Sequence, residues 1–315
     1  MPVKIHGKDQ LPRIGELSTR RLTEAVSRLT RAKMPVDFNS IDKLEQEAAP
    51  LLPWRPPALC PGCPHRASHY AIRVASRRVS REIGKDIEPV YPGDIGCYAL
   101  AYNPPQEASD TIICMGGSFG IANGLAHVID VPIVAHLGDS TFFHAGIPPL
   151  INAVYNKANI TMVVMDNSAT SMTGFQPHPG TGYTAMGEET VRLKPEEIAR
   201  ACGVKFVEVV DPLDLKEAID VIERAIRFDG PAVVVARRLC AIIEQRDKKK
   251  SGEQTILYRV DPEKCNDKCN ACIELLGCPA LIKEGTKTVI DSSLCNGCGL
   301  CAQVCPYKAI VPEKS

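Results

Sequence analysis

The chain has 315 residues, with 37 basic and 37 acidic side chains and a hydrophobic share of 44%. Length and apolar content allow two domains with a full core, and the balanced charge argues against a nucleic-acid or membrane-surface binder. No run of about 18 apolar residues is available to span a bilayer, and the start MPVKIHGKDQ lacks the apolar stretch of a signal peptide, so the expected compartment is the cytoplasm.

In chain order, residues 1–55 read as an extension. Glu16–Ala32 has helical periodicity with a charged face, and the run PWRPP at 53–57 breaks any helix. A docking arm or linker is the expectation for this part. Over 56–245, short apolar runs alternate with amphipathic stretches. The predicted strands are Thr111–Cys114, Pro132–Leu137, Ile160–Met165, Lys205–Val210 and Ala232–Ala236. The predicted helices cover 65–81, 117–129, 146–157, 195–202 and 212–227. Such alternation predicts an α/β domain, a parallel sheet covered on both faces, with ligands at the carboxyl ends of the strands. Residues 241–258 read as solvated, charged linker. Its stretch 246–258 separates the α/β domain from a cysteine-rich module over 259–315.

Fourteen cysteines without a secretory signal point to metal or cluster ligation, not disulfides, and eight of them fall between Cys265 and Cys305. The run Cys295-x2-Cys298-x2-Cys301-x3-Cys305-Pro306 has the spacing of a bacterial ferredoxin loop, in which three thiolates wrap one cubane and the fourth serves a neighbouring one. Cys265-x3-Cys269-x2-Cys272-x5-Cys278-Pro279 is a looser copy. Paired zinc knuckles, the alternative, need neither the Cys-Pro ending nor the third evenly spaced cysteine. Upstream stand Cys60-Pro61-Gly62-Cys63, Cys97 after Gly93-Asp94-Ile95-Gly96, and Cys240 at the end of the last strand. Cys202 is the rival of Cys240, and Cys114 reads as inert in a buried strand.

Gly138-Asp139-Ser140 closes one predicted strand and Asp166-Asn167 the next. A diphosphate bound through Mg²⁺ needs hard oxygen ligands in an octahedral array. A carboxylate and an amide at neighbouring strand ends supply two of them, and a backbone carbonyl just beyond supplies a third. A lone Gly-Asp-Ser is also a common turn, so the pairing carries the signal. Gly116 and Gly117, which follow Met115, allow close backbone approach to a ligand. His144 lies six residues past Gly138 and is the candidate to polarise a carbonyl or move a proton; a structural capping role is the alternative. His65 and His69 sit four apart on one helix face. No third ligand for zinc is evident, so His65 is placed beside a cluster or the diphosphate.

These elements resemble a known family. Gly138-Asp139-Ser140 with Asp166-Asn167 is similar to the thiamine diphosphate signature, a Gly-Asp-Gly followed by a double Asn. Ser140 and Asp166 depart from it at positions that are not metal ligands. The segments LCPGCPHR, GDIGCYALA and GDSTFFHAGI, the Ser171–Gln176 loop and both cysteine runs resemble the C-terminal half of the large subunit of indolepyruvate:ferredoxin oxidoreductases, within the 2-oxoacid:ferredoxin oxidoreductase superfamily. The likeness covers about 58–315, and KIHGKDQLPRIGELS resembles the mid-chain linker of that subunit, so a preceding half is expected to be missing here.

The resemblance implies a parallel-sheet thiamine diphosphate domain followed by a small ferredoxin-like domain with two [4Fe-4S] clusters. It assigns Mg²⁺ to Asp139, Asn167 and the carbonyl of Ala169, and places Gly138, Ser140, Gly116, Gly117, His65, Thr173 and Gly174 around the cofactor. Met115 is the candidate wedge that bends the cofactor, with a core methionine as the alternative. One cluster falls to Cys265, Cys269, Cys272 and Cys305, and the other to Cys278, Cys295, Cys298 and Cys301. Cys60, Cys63, Cys97 and Cys240 would hold a third, proximal one. The implied reaction is oxidative decarboxylation of an aryl pyruvate such as indolepyruvate, with coenzyme A as acyl acceptor and ferredoxin as electron acceptor. Phenylpyruvate or a branched-chain 2-oxoacid fits the same residues. Separate subunits are implied for the pyrimidine-binding domain, with its activating glutamate, and for the CoA/gamma-type domain, which makes a hetero-oligomer. Two other classes fit less well. A non-oxidative thiamine decarboxylase has no use for ferredoxin-type cysteines, and a pure electron-transfer subunit has none for Asp139 and Asn167.

Overall fold

The computed structural model describes residues 4–52, 56–84, 87–266 and 268–313. The chain divides into two units, Met1–Pro56 and Pro57–Ser315. In the first, α1 (Thr19–Thr30) is capped by the Ser18 side chain, and α2 (Phe38–Ala48) by Asp37, which accepts from the amides of Asn39 and Ser40. Arg20 joins the two helices through Asp42 at 2.6 Å. Ala25 is the one buried residue among those described there. Of the helix-breaking run, Pro53, Trp54 and Arg55 lie outside the described residues.

The second unit opens with α3 (Pro64–Ile83) and continues to α4 (Gly117–Leu125) and β1 (Val134–Gly138). A single turn, α5 (Asp139–Thr141), runs through a π-helical turn at Phe142–Gly146 into α6 (Ile147–Tyr155). Then follow β2 (Thr161–Asp166), α7 (Pro195–Ala201), β3 (Phe206–Val210), α8 (Leu215–Arg227) and β4 (Ala232–Arg237). The four strands pair in parallel in the order β1-β2-β4-β3. Side chains alternate along each strand. Val163, Met165 and Val234 pack under α3 and α8, with Ala71, Ile72 and Ile222. Met162, Val164, Val233 and Val235 pack under α4, α6 and α7, with Phe119, Leu150 and Ala199. Burial on both faces explains why β2 and β4 read as unbroken apolar runs.

Two segments differ in local structure from the sequence reading. Thr111–Cys114 forms no strand: Thr111 makes one parallel bridge to Pro92, and the chain then leaves the sheet, with Ile113 70% exposed. The run is apolar, yet none of the described residues covers it. The predicted linker at 241–258 begins instead as α9 (Ala241–Ser251), ended by Gly252 in the left-handed conformation. Its residues are good helix formers, and only Ala241 among them is buried, so no apolar stripe reveals the helix.

The cysteine-rich module pairs β5 (Tyr258–Val260) with β8 (Ile310–Pro312) antiparallel, and between them holds α10 (Ala271–Leu276), the hairpin β6 (Leu281–Glu284) and β7 (Lys287–Ile290), and α11 (Leu300–Val304). Leu276 and Leu300 meet Ala67 of α3 and Leu215 of α8 in one small core. Burying such side chains stabilises by about 1.5–3 kcal/mol each, which fixes the module against the α/β domain.

Candidate active site

A cavity of about 490 Å³ opens beyond the carboxyl ends of β1 and β2, the place where parallel α/β sheets leave a crevice. Gly138 permits it: a Cβ there would come within 2.6 Å of the Tyr98 ring. Next to it, the Asp139 carboxylate is almost fully buried. Its Oδ1 accepts from the amide of Ser140 at 2.8 Å. Its Oδ2 has no hydrogen-bond partner, although His178 Nε2 stands 3.1 Å away, because the ring nitrogen is off the required line. The Gly180 amide donates to His178 Nδ1 at 3.1 Å, so in the neutral ring the proton sits on Nε2, facing Asp139. Burial pushes the Asp139 carboxyl up, with His178 opposing the shift. A buried carboxylate oxygen that lines a cavity and makes no aligned hydrogen bond suits a divalent cation.

Asn167 follows β2 and is equally buried. It donates through Nδ2 to His65 Nε2 and to Ser171 Oγ, each at 3.1 Å, and its Oδ1 accepts from the Ala169 amide at 3.2 Å. Burial pushes His65 down to about 4, so its ring is the neutral acceptor this contact needs. Asp166 is engaged elsewhere. Arg237 Nε reaches it at 2.7 Å and holds Glu196 with its other nitrogens, so Asp166 serves the scaffold. Ser140, Ala169, Thr173 and Met115 also line the cavity, and Met115 is half-exposed there, not a core methionine.

Other expected positions fall outside it. His144 is exposed on the π-helical turn and is not among the lining residues, because that turn carries it outward. Gly174 turns the loop behind Thr173, with φ at 121°. Gly116 and Gly117 sit behind Met115 at the start of α4. There the buried Asp94 accepts from the amides of Gly116 at 2.9 Å and Ser118 at 3.1 Å, and so occupies the helix terminus itself. Sequence reasoning missed Asp94, although Gly93-Asp94-Ile95-Gly96 was singled out for its cysteine. It also missed His178, which no spacing links to Asp139.

A second cavity, of about 460 Å³, is lined by Cys60, Cys63, Cys97 and Cys240. It shares a wall with the first: His65, Cys97, Asn167 and Ser171 border both. Burial pushes the Cys63 thiol up to about 12 and the Cys97 thiol to about 11. Cys202 caps α7 and packs on the opposite side of the sheet, away from this cavity. Cys114 is exposed and lies in no strand, contrary to the expectation of a buried, inert thiol.

In the module, a cavity of about 320 Å³ is lined by Cys265, Cys269, Cys272 and Cys305. Cys278, Cys295, Cys298 and Cys301 form the other group. The Cys301 thiol is pushed up to about 12, first by burial and then by the other three sulfurs. This group abuts the first cysteine loop. Asn296 Nδ2 donates to the Pro61 carbonyl at 3.2 Å, and a Cβ on Gly62 would fall 1.9 Å from the same side chain.

Residues 94–236 match the family of thiamine pyrophosphate enzymes, C-terminal TPP binding domain, and residues 288–311 match the 4Fe-4S binding domain. The chain is 48% identical over 314 residues, 99% of its length, to the indolepyruvate oxidoreductase subunit IorA of Archaeoglobus fulgidus, and covers 49% of that protein. With IorA of Pyrococcus horikoshii the identity is 44%, over 98% of this chain and 48% of the relative. The chain belongs to the IorA family. It spans about half the length of the curated IorA relatives it matches and corresponds to their C-terminal half. A 2-oxoglutarate:ferredoxin oxidoreductase structure from Magnetococcus marinus shares the fold, with a TM-score of 0.52 and 22% identity, over 80% of this IorA-family chain and 87% of that one. Thiamine diphosphate and iron–sulfur clusters are therefore the cofactors of these two modules. Among the described residues, no helix is long and apolar enough to cross a membrane.

Proposed function

We propose that this chain is the cofactor-binding and electron-carrying part of a 2-oxoacid:ferredoxin oxidoreductase that acts on an aryl pyruvate, indolepyruvate first among them. The observation that carries the reading is the shared wall of the two cavities: Asp139 lines one, Cys60, Cys63 and Cys240 line the other, and Asn167 and Cys97 stand in the wall and border both. A non-oxidative decarboxylase has no need of an electron acceptor one side chain away from its cofactor.

Asp139 Oδ2, Asn167 and the carbonyl of Ala169 are the oxygen groups that would hold Mg²⁺ and, through it, the diphosphate. Thiamine diphosphate, when bound, supplies the electron sink for loss of CO₂. His65, kept neutral by burial, fixes Asn167 by accepting its amide proton. Met115 lines the cavity and would offer the cofactor ring an apolar contact. The balance is one 2-oxoacid and one CoA thiol giving acyl-CoA, CO₂ and a proton, with two electrons leaving singly. Cys60, Cys63, Cys97 and Cys240 would hold the iron–sulfur centre nearest the cofactor, Cys278, Cys295, Cys298 and Cys301 the next one, and Cys265, Cys269, Cys272 and Cys305 the one nearest ferredoxin; such centres, when bound, supply one-electron acceptors. This order follows from the contact of Asn296 with the Cys60–Cys63 loop.

Ile95, Met115 and Met172 line the cavity yet remain 38–49% exposed, and Ile113 nearby is 70% exposed. Such an apolar rim suits a partner domain, here the pyrimidine-binding one with its glutamate, and a hetero-oligomer with a CoA/gamma-type subunit. The test is ferredoxin reduction by the anaerobic complex with indolepyruvate, phenylpyruvate, a branched-chain 2-oxoacid and 2-oxoglutarate. The reading expects the highest kcat/KM for indolepyruvate. Preference for 2-oxoglutarate would overturn the aryl assignment.

A further inference from the structure

Arg66 is the third residue after Cys63 and is 2% exposed. Its Nη1 donates to the carbonyls of Leu276 and, at 2.7 Å, Gly277; its Nη2 donates to the carbonyls of Leu59 and, at 3.5 Å, Cys60. Its Nε has no acceptor, and no carboxylate lies within ion-pair distance of it among the described residues. The ionisable groups whose negative charge favours it are Cys278, Cys63, Cys298 and Cys60. An arginine cannot shed its proton here, and a buried cation with only carbonyl dipoles for company is costly. A permanent positive charge is therefore buried between two cysteine groups, with no carboxylate counter-ion among the described residues.

A four-thiolate iron–sulfur cubane is an anion and gains one more negative charge on reduction. We propose that Arg66 is the shared counter-charge of the two centres it lies between, Cys60/Cys63/Cys97/Cys240 and Cys278/Cys295/Cys298/Cys301, and that it raises the reduction potential of both. This rests on the cluster assignment proposed above. One electron leaves the first centre and enters the second, so one is oxidised as the other is reduced, and Arg66 keeps its protons throughout. Because the cation stabilises both reduced forms, it lifts both potentials while leaving the difference between them small. The electron crosses without being trapped on either side. Arg66 is a positioning residue in this sense; it touches no substrate.

The test is a potentiometric titration, read by electron paramagnetic resonance, of the full chain purified anaerobically with its accompanying subunits, as wild type, Arg66→Gln and Arg66→Lys. Loss of the charge in R66Q is expected to lower two of the three potentials together and to leave the third, that of Cys265/Cys269/Cys272/Cys305, nearly in place. R66K, which keeps the charge but not the fork of donors, is expected to stay near wild type. Full iron in R66Q with unmoved potentials would overturn the proposal, since Arg66 would then be only a strut between the Leu59 and Leu276 carbonyls. If R66Q loses iron, R66K decides. Retained clusters at wild-type potentials support a need for the charge, and loss in R66K as well overturns it. Wild-type iron tests the cluster assignment by itself: about eight irons per chain instead of about twelve would remove the proximal cluster, and Arg66's role with it, before any variant is compared.

Discussion

Asn167 donates its side-chain amide to His65 Nε2 over 3.1 Å, and these two residues stand in the wall between the cavity at the strand ends and the cavity of Cys60, Cys63, Cys97 and Cys240. One layer of side chains therefore separates the two proposed cofactor positions. Asn167 follows β2, and His65 opens α3, so strand end and helix start together set the thickness of that layer.

Asp139→Asn keeps the shape of the side chain and removes the charge that a hard divalent cation needs. Mg²⁺-dependent binding of thiamine diphosphate, followed by titration calorimetry, is expected to weaken by on the order of 100-fold, since even partners behind a metal ligand cost about 10–100-fold. The fold should persist, because the buried carboxyl is already pushed towards its neutral form. Unchanged affinity would take Asp139 out of the site.

Arg237→Ala would leave Asp166, 6% exposed, without the guanidinium that reaches it at 2.7 Å, and would release Glu196 as well. An uncompensated buried charge costs about 3–5 kcal/mol; Arg237 is itself partly exposed, so about 2–3 kcal/mol is expected. Urea denaturation of the variant should show that loss with an unchanged slope. A loss below about 0.5 kcal/mol would mean that solvent already screens the pair.

The buried histidines predict an acid limit. Burial lowers His136 to about 3, with His65 adding to the shift, and burial lowers His65 to about 4. A folded pKa below the unfolded one means that the unfolded chain binds the proton better. The stability these rings contribute is therefore complete above the ordinary histidine value of about 6.5 and lost as pH falls towards about 4. The slope should be on the order of 1.4 kcal/mol per pH unit for each ring. Urea midpoints taken from about pH 7 to about pH 5 should fall more steeply for the wild type than for His136→Gln. Equal slopes would show that His136 is protonated in the folded chain.

The sheet was legible because β2 and β4 are buried on both faces, and the cysteine groups were legible because their chemistry is written in local spacing. Within 241–258 the helix α9 was not legible because it shows no apolar stripe. Thr111–Cys114 misled for the opposite reason: it is apolar, but none of the described residues covers it. His144 was chosen by nearness in sequence to Gly138, and the π-helical turn carries it outward. His178 and Arg66 do their work through contacts 39 and 210 residues away, to Asp139 and Leu276, and no periodicity records such distances.

Gly62→Ala tests the contact between the two cysteine loops. Gly62 has φ at 66°, and an added Cβ would strike the Asn296 side chain that holds the Pro61 carbonyl. The expected result is slower electron transfer to ferredoxin in single-turnover traces, with binding of thiamine diphosphate unchanged. A normal rate would show that electrons take another route.

In the proposed arrangement one chain places thiamine diphosphate beside the first of three iron–sulfur clusters. Its most direct test is the iron, sulfide and thiamine diphosphate content of the anaerobically purified complex, wild type against Cys60→Ser. About twelve irons and about one cofactor per chain are expected, falling to about eight irons with the cofactor retained in the variant. About eight irons in both, or no cofactor in the wild type, would contradict it.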